Sequence, residues 1–187
     1  IGMASGASNE EIQKLKDIGV EYIDCPIKRN SLNPFEDFKT FIKLIKVFSR
    51  ESPDVVLAYT IKPVIWGGLA ARLCRVRGFF ALITGLGFTF QKGGAWRYFL
   101  NWFLKKLYSY ALLGAKGVIF QNKDNYDVFV DNRLVNNSIC HVVNGSGVDL
   151  THYAVKPLNL APRFLLIARL LGDKGIREFA QAAKIVK

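Results

Sequence analysis

Two cations near the end of the chain stand in a setting suited to holding an oxyanion. In "RFLLIARLLGDKG", residues 163–175, Arg169 closes an apolar run and Lys174 follows five residues later at a glycine-flanked helix start. A guanidinium makes a forked contact to phosphate oxygens, an ammonium adds a point charge, and the first-turn amides of a helix aim N–H groups at the same place. Further candidates follow the apolar runs upstream: "TIKP" at 60–63, "TGLGF" at 84–88, "QN" at 121–122 and "NGSGVD" at 144–149. Each is polar or glycine-rich. Gly85 and Gly87 lack the third glycine of a dinucleotide fingerprint, and no acid stands about 20 residues on, which argues against a nicotinamide cofactor. His141 and His152 share no metal-ligand spacing and read as structural. Cys25, Cys74 and Cys140 are odd in number and widely spaced, indicating neither a disulfide framework nor a zinc site. A reducing compartment fits.

Those loops need elements to position them. Apolar runs at Ile1–Ser5, "VEYIDCPI", "DVVLAYT", "FFALIT", "GVIFQ" and "ICHVV" read as strands. Between them lie amphipathic segments: one capped by Ser8 and closed at Gly19, one opening on Asn33-Pro34, and others from about Pro63, over "WRYFLNWFLKKLYSYALL" and after Asn122. Alternation of strand and helix predicts a parallel, doubly wound α/β sheet with helices on both faces. In such a sheet ligands bind at the carboxyl ends of the strands, where the polar loops fall. In the helix over 96–110, the spacing predicts that Trp96, Phe99, Leu100, Phe103, Leu107 and Tyr110 face the sheet. Tyr98, Trp102, Lys105, Lys106 and Ser109 then take another face.

The net charge of +11 is concentrated. Residues 55–123 contain no Asp or Glu, whereas Lys62, Arg72, Arg75, Arg77, Lys92, Arg97, Lys105, Lys106, Lys116 and Lys123 all fall there. Trp66, Trp96 and Trp102 lie in the same stretch. Basic plus aromatic character suits a nucleic acid or an anionic membrane surface. The first residues have no basic region followed by an apolar one, so no signal peptide is expected. "GFFALITGLGFTFQ" is shorter than the roughly 20 residues of a spanning helix and is broken by glycines, so no membrane span is expected.

The ordered set "SPDVVLAYTIKPVIWGGLAARL", "ITGLGFTF", "GVIFQNKDN", "VVNGSGVDLTHY" and "FLLIARLLGDKGIREFAQAAKIV" resembles bacterial glycosyltransferases of the family-4 type, with two Rossmann-like domains in the GT-B arrangement. The resemblance covers essentially the whole chain. It implies an acceptor-side Rossmann-like domain over 1–155, lacking its first strand and helix. It also implies the first strand and helix of a donor-nucleotide domain over 156–187. By the same match Arg169 and Lys174 bind the donor diphosphate, and Asn144, Gly145 and Asp149 lie at the interdomain crossover. A Glu-x₇-Glu motif would follow "AAKIVK", so the chain looks like a fragment, inactive by itself.

Many relatives carry a histidine immediately before "GLGF", facing the reacting sugars; Thr84 stands there in this chain. Either this subgroup dispenses with the histidine or another group takes the role. "TIKP" and "ITGLGF" look most like enzymes that extend polyprenyl-diphosphate-linked sugars, including N-acetylgalactosaminyltransferases of bacterial glycan assembly, such as lipopolysaccharide or capsule. The resemblance therefore implies a retaining, metal-independent transferase with no cofactor, using a UDP-linked N-acetylhexosamine as co-substrate. The acceptor would meet Thr60, Lys62, Gly85, Gly87 and Asn122. Tyr98, Trp102, Lys105 and Lys106 would rest on the anionic inner face of the plasma membrane, with the enzyme cytoplasmic and peripheral and with no nucleic acid partner. The alternatives are a basic α/β nucleic-acid-binding module, favoured by charge but without a recognised motif, and a non-catalytic sugar-nucleotide-binding protein.

Overall fold

The computed structural model describes every residue except 28–32, 86–94, 156, 158–160, 169, 171–173 and 187, with the backbone alone at 95–97. The elements run β1 (Gly2–Ala4), α1 (Asn9–Asp17), β2 (Tyr22–Asp24), α2 (Pro34–Glu51), β3 (Val55–Tyr59) and α3 (Ile61–Leu73). Then come β4 (Gly78–Ile83), α4 (Ala95–Leu112), β5 (Gly117–Phe120), α5 (Lys123–Asp131), β6 (Cys140–Val142) and α6 (Ile176–Val186). Local chemistry sets several starts. The Ser8 hydroxyl accepts from the Glu11 amide at 3.3 Å while the Glu11 carboxylate accepts from the Ser8 amide at 2.7 Å. That reciprocal cap also holds the Glu11 carboxyl below its ordinary range. Pro34 opens α2 behind an Asn33 side chain that accepts from the Phe35 amide at 3.0 Å.

Among the described residues all strand pairs are parallel, in a two-stranded sheet β1-β2 and a four-stranded sheet in the order β3-β4-β5-β6. Strand–helix alternation with parallel pairing is a Rossmann-like α/β architecture. One face of the larger sheet is packed: Ala58, Phe79, Ala81, Ile83, Val118 and Phe120 are buried with Val64, Ala70 and Ala71 of α3. On the other face Val55, Leu57 and Tyr59 of β3 stay exposed.

Backbone pairing explains what lies beside β3. The Thr60 amide donates to Leu82 and the Gly78 amide to Asp54, so alternate β3 residues turn their main-chain groups to β4, and Val55, Leu57 and Tyr59 turn theirs away. In the smaller sheet the Gly2 amide donates to Glu21 and the Cys25 amide to Ala4. Ile1, Met3 and Ser5 therefore face away from β2. A cavity of about 580 Å³ is lined by these edge residues of β1 and β3 and by Leu44, Val47 and Phe48 of α2.

The α4 helix is rotated from the expected setting. Tyr108, Ala111 and Leu112 are buried, with Leu104 and Leu107 packed against the core, whereas Phe99, Phe103 and Tyr110 are about half exposed at 53%, 46% and 55%. The side chain of Trp96 lies outside the described residues. Two contacts fix the rotation. Gly68 lets Ala111 approach so closely that a Cβ at Gly68 would sit 2.7 Å from the Ala111 carbonyl oxygen. Arg72 donates to the Tyr110 carbonyl at 2.8 Å and lies 4.3 Å from the centre of its ring, holding Tyr110 at the surface.

Under α4, Tyr108 and Phe120 each meet Phe129 edge-on, with centroids 5.1 and 5.3 Å apart. The Tyr108 hydroxyl is buried without a hydrogen-bond partner among the described residues, and burial pushes its phenol well above the ordinary tyrosine value. An unmet buried hydroxyl typically costs about 1–3 kcal/mol. Tyr108→Phe should therefore leave stability unchanged or raise it by about 1 kcal/mol in denaturant melts. Because the phenol's folded value is raised, its stability contribution is present below the unfolded value near 10 and lost above it. The variant should lose less stability than the parent above that pH; a loss of more than about 1 kcal/mol at neutral pH would show that the hydroxyl is satisfied.

The chain divides into two compact units, Ile1–Gly147 and Val148–Lys187, a division falling ahead of the expected 155/156. In the second unit α6 forms as read. Residues 162–168, expected as a strand, carry no ladder among the described residues, and Phe164, Leu165 and Ile167 are exposed. A strand is a paired state, and no described neighbour offers the pairing.

Candidate functional site

The carboxyl edge of the larger sheet assembles the first group of candidates. β3 ends at Tyr59, and Thr60 turns the chain into α3 with φ 73° and ψ 170°, a conformation that favours glycine and typically costs a threonine about 1–3 kcal/mol. Its side chain does not cap the helix; its carbonyl accepts from Val64 at 3.0 Å. Lys62 then lies in the first turn of α3. Its ammonium donates to the Asp37 carboxylate at 2.5 Å, with the two side chains only 15% and 19% exposed. Asp37 belongs to the acidic first turn of α2, where a carboxylate suits the helix dipole. That dipole complement was its whole sequence signal.

Thr84 and Gly85 follow β4. Because Tyr59 pairs with Leu82, they stand beside Thr60 at the same sheet edge. A Cβ at Gly85 would meet no atom of the described residues within 4 Å. Gly87 lies outside the described residues. After β5, the Asn122 side chain accepts from the Asn125 amide at 2.8 Å and caps α5. This residue, expected in the acceptor set, thus has a structural task. Its neighbour Gln121 donates to the Ser146 hydroxyl at 3.1 Å, tying the β5 end to the loop after β6. Ser146 lies within the "NGSGVD" run already marked as a candidate loop.

Asn144 and Gly145 lie near the end of the first unit, with Gly145 at φ 45°. Asp149 lies near the start of the second. Its carboxylate accepts from the Thr151 hydroxyl at 2.7 Å and from the Thr151 amide at 2.9 Å, and these bonds hold it below the usual carboxylate range. Lys174 precedes α6, which opens after Gly175 at φ 68°. Arg169 lies outside the described residues.

On α4, Tyr98 and Trp102 are exposed, and Phe99 stacks on Trp102 with centroids 6.1 Å apart. Lys106 is exposed beside them. Lys105 turns to α5, donating to Asn132 at 2.7 Å. No described helix is long and apolar enough to cross a membrane. Among the described residues no group of three His, Cys, Asp or Glu side chains is placed to hold a metal ion.

Comparison with known proteins adds to this geometry. An N,N'-diacetylbacillosaminyl-diphospho-undecaprenol alpha-1,3-N-acetylgalactosaminyltransferase of Campylobacter jejuni is 31% identical over 193 aligned residues, covering 96% of this chain and 51% of the relative. The capsular polysaccharide biosynthesis glycosyltransferase CapM of Staphylococcus aureus is 26% identical, covering 86% of this chain and 44% of its own length. The chain thus spans about half the length of these curated relatives. The crystal structure of Acinetobacter baumannii MurG aligns with 83% of this chain and 38% of its own, at 20% identity and a TM-score of 0.44. The family model described as glycosyl transferase 4-like matches residues 3–122, and the chain belongs to that family.

Proposed function

We propose that this chain is the acceptor side of a retaining glycosyltransferase that moves an N-acetylhexosamine from a UDP-linked donor to a polyprenyl-diphosphate-linked glycan at a membrane surface. The observation that carries this reading is the 31% identity, across 96% of the chain, to a relative whose name specifies an N-acetylgalactosamine transfer to a diphospho-undecaprenol-linked sugar. Lys62, beside Thr60 and Thr84, supplies a cation for the acceptor diphosphate, and Thr84 a hydroxyl for the acceptor sugar. In the transfer, the bond from the anomeric carbon to the donor diphosphate breaks, one to the acceptor oxygen forms, and the hydroxyl proton passes to the departing diphosphate oxygen. Arg169 and Lys174 take up the charge left on the departing nucleoside diphosphate, so that no metal is required. Asn144, Gly145 and Asp149 form the crossover between acceptor and donor domains. A strand and helix of the same polypeptide, N-terminal to Ile1, complete the acceptor domain in the cavity between β1 and β3.

The exposed Tyr98, Trp102 and Lys106 of α4 support seating on an anionic membrane, with aromatic rings at head-group depth and the ammonium among lipid phosphates. The test presents a polyprenyl-diphosphate-linked sugar in phosphatidylglycerol vesicles to the full-length polypeptide with labelled UDP-N-acetylhexosamine. Label should enter the lipid phase. Lys106→Glu, with vesicle flotation as readout, should weaken binding several-fold at low salt. Transfer to no polyprenyl-diphosphate acceptor, across a panel of UDP-sugars, overturns the proposed reaction; unchanged flotation of the variant removes α4 from the membrane contact.

A further inference from the structure

We infer that Asp37 is a positioning residue: its carboxylate holds the Lys62 ammonium at the carboxyl edge of the sheet, where the acceptor's anionic group would meet it. This rests on the acceptor role proposed for Lys62. The pair bridges the first turns of α2 and α3 at 2.5 Å. Both side chains are more than four-fifths covered, whereas ion pairs such as Lys14–Glu10 and Arg77–Asp54 are exposed on both sides.

Stability alone is a poor reason for this arrangement. Taking a lysine and a carboxylate out of water costs about as much as their attraction returns, and an apolar pair of similar volume often serves a fold as well or better. Moreover, Lys62 sits at the positive end of the α3 dipole, in a first turn that has no acidic residue of its own. The field there opposes the cation, while the same field on α2 favours Asp37. A cation is thus kept where its own helix disfavours it, and a carboxylate from another helix is supplied to keep it there.

The backbone of the corner points the same way. Thr60, two residues before Lys62, adopts φ 73° and ψ 170°, and this fixes how the first turn of α3 leaves β3. Backbone direction and carboxylate together leave the four-carbon stem of Lys62 little freedom. A lysine ammonium is a point charge on a flexible stem, whose rotamer freedom is lost on meeting a ligand. The carboxylate removes that loss in advance.

The experiment uses the full-length enzyme with a polyprenyl-diphosphate-linked sugar acceptor, comparing Asp37→Asn, Asp37→Glu, Lys62→Ala and the Asp37→Asn/Lys62→Ala pair. Asp37→Asn should raise KM for the lipid acceptor about tenfold, with kcat within twofold, KM for the nucleotide-sugar unmoved and the thermal midpoint little changed. Asp37→Glu should restore part of the loss, and Asp37→Asn should add nothing in the Lys62→Ala background. An acceptor KM within twofold of the parent in Asp37→Asn, or effects that multiply in the double variant, would overturn the inference. So would a lowered thermal midpoint with kinetics unchanged per folded molecule. If Lys62→Ala raises the acceptor KM while Asp37→Asn does not, Asp37 alone is misassigned. If Lys62→Ala has no effect, the acceptor role of Lys62 fails with it, and absence of transfer by the unmodified enzyme removes the whole reading.

Discussion

Arg169→Ala in the full-length enzyme should lower kcat by two to three powers of ten, with a smaller change in KM for the lipid acceptor. On the proposed mechanism the guanidinium meets charge that grows on the diphosphate as the glycosidic bond breaks, so its contribution is larger in the transition state than in the ground state. Removing one such donor typically costs about 2.7–4 kcal/mol, which corresponds to that range of rate. Arg169→Lys should recover only part of the loss, because an ammonium does not reproduce a forked contact to two oxygens. Single-turnover measurements with saturating nucleotide-sugar would isolate the chemical step. Near-parental turnover in Arg169→Ala would remove the residue from the leaving-group role.

Gly68→Ala should destabilise the fold, while Gly67→Ala, one position away on the same helix, should be neutral or stabilising. Replacing glycine by alanine inside a helix is worth about 1 kcal/mol in propensity. At Gly67 the new methyl group would lie 3.8 Å from Ala58 and from the Phe79 ring, in ordinary contact, so that gain survives. At Gly68 it would meet the Ala111 carbonyl at 2.7 Å and Phe79 at 3.1 Å, forcing α3 and α4 apart. Overpacking of this kind costs about 1–3 kcal/mol. For a chain of this size roughly 1 kcal/mol moves the melting midpoint about 2–4 °C, so the two alanine variants should melt on opposite sides of the parent. An unchanged midpoint for Gly68→Ala would mean that the two helices are less closely packed.

These two glycines also show which parts of the molecule were readable in advance. Ser8, Asn33-Pro34 and Asn122 act through main-chain groups two or three residues away, so the helix starts they cap could be read from local spacing. The apolar runs ending in polar loops likewise marked the strands and the edge that collects Thr60, Lys62, Thr84 and Gly85. The rotation of α4 was not legible, because it depends on a close approach between Gly68 and Ala111 that no periodicity within either helix records. The same holds for Asp37 and Lys62, which stand 25 residues apart. The apolar run at 162–168 carries no ladder among the described residues for a related reason: composition says that a segment can pair, and only its neighbours say whether it does.

The cavity between β1 and β3 also bears on how the protein assembles. An open sheet edge propagates association, because every strand added to it displays a fresh edge to the next chain. Here the main-chain groups of Ile1, Met3 and Ser5 on one side and of Val55, Leu57 and Tyr59 on the other look into the same space. A strand seated between them would satisfy both rows and leave no new row exposed. Pairing at this position is therefore self-limiting: it accepts one segment and then stops, so it fills the gap between β1 and β3 without growing a new edge there.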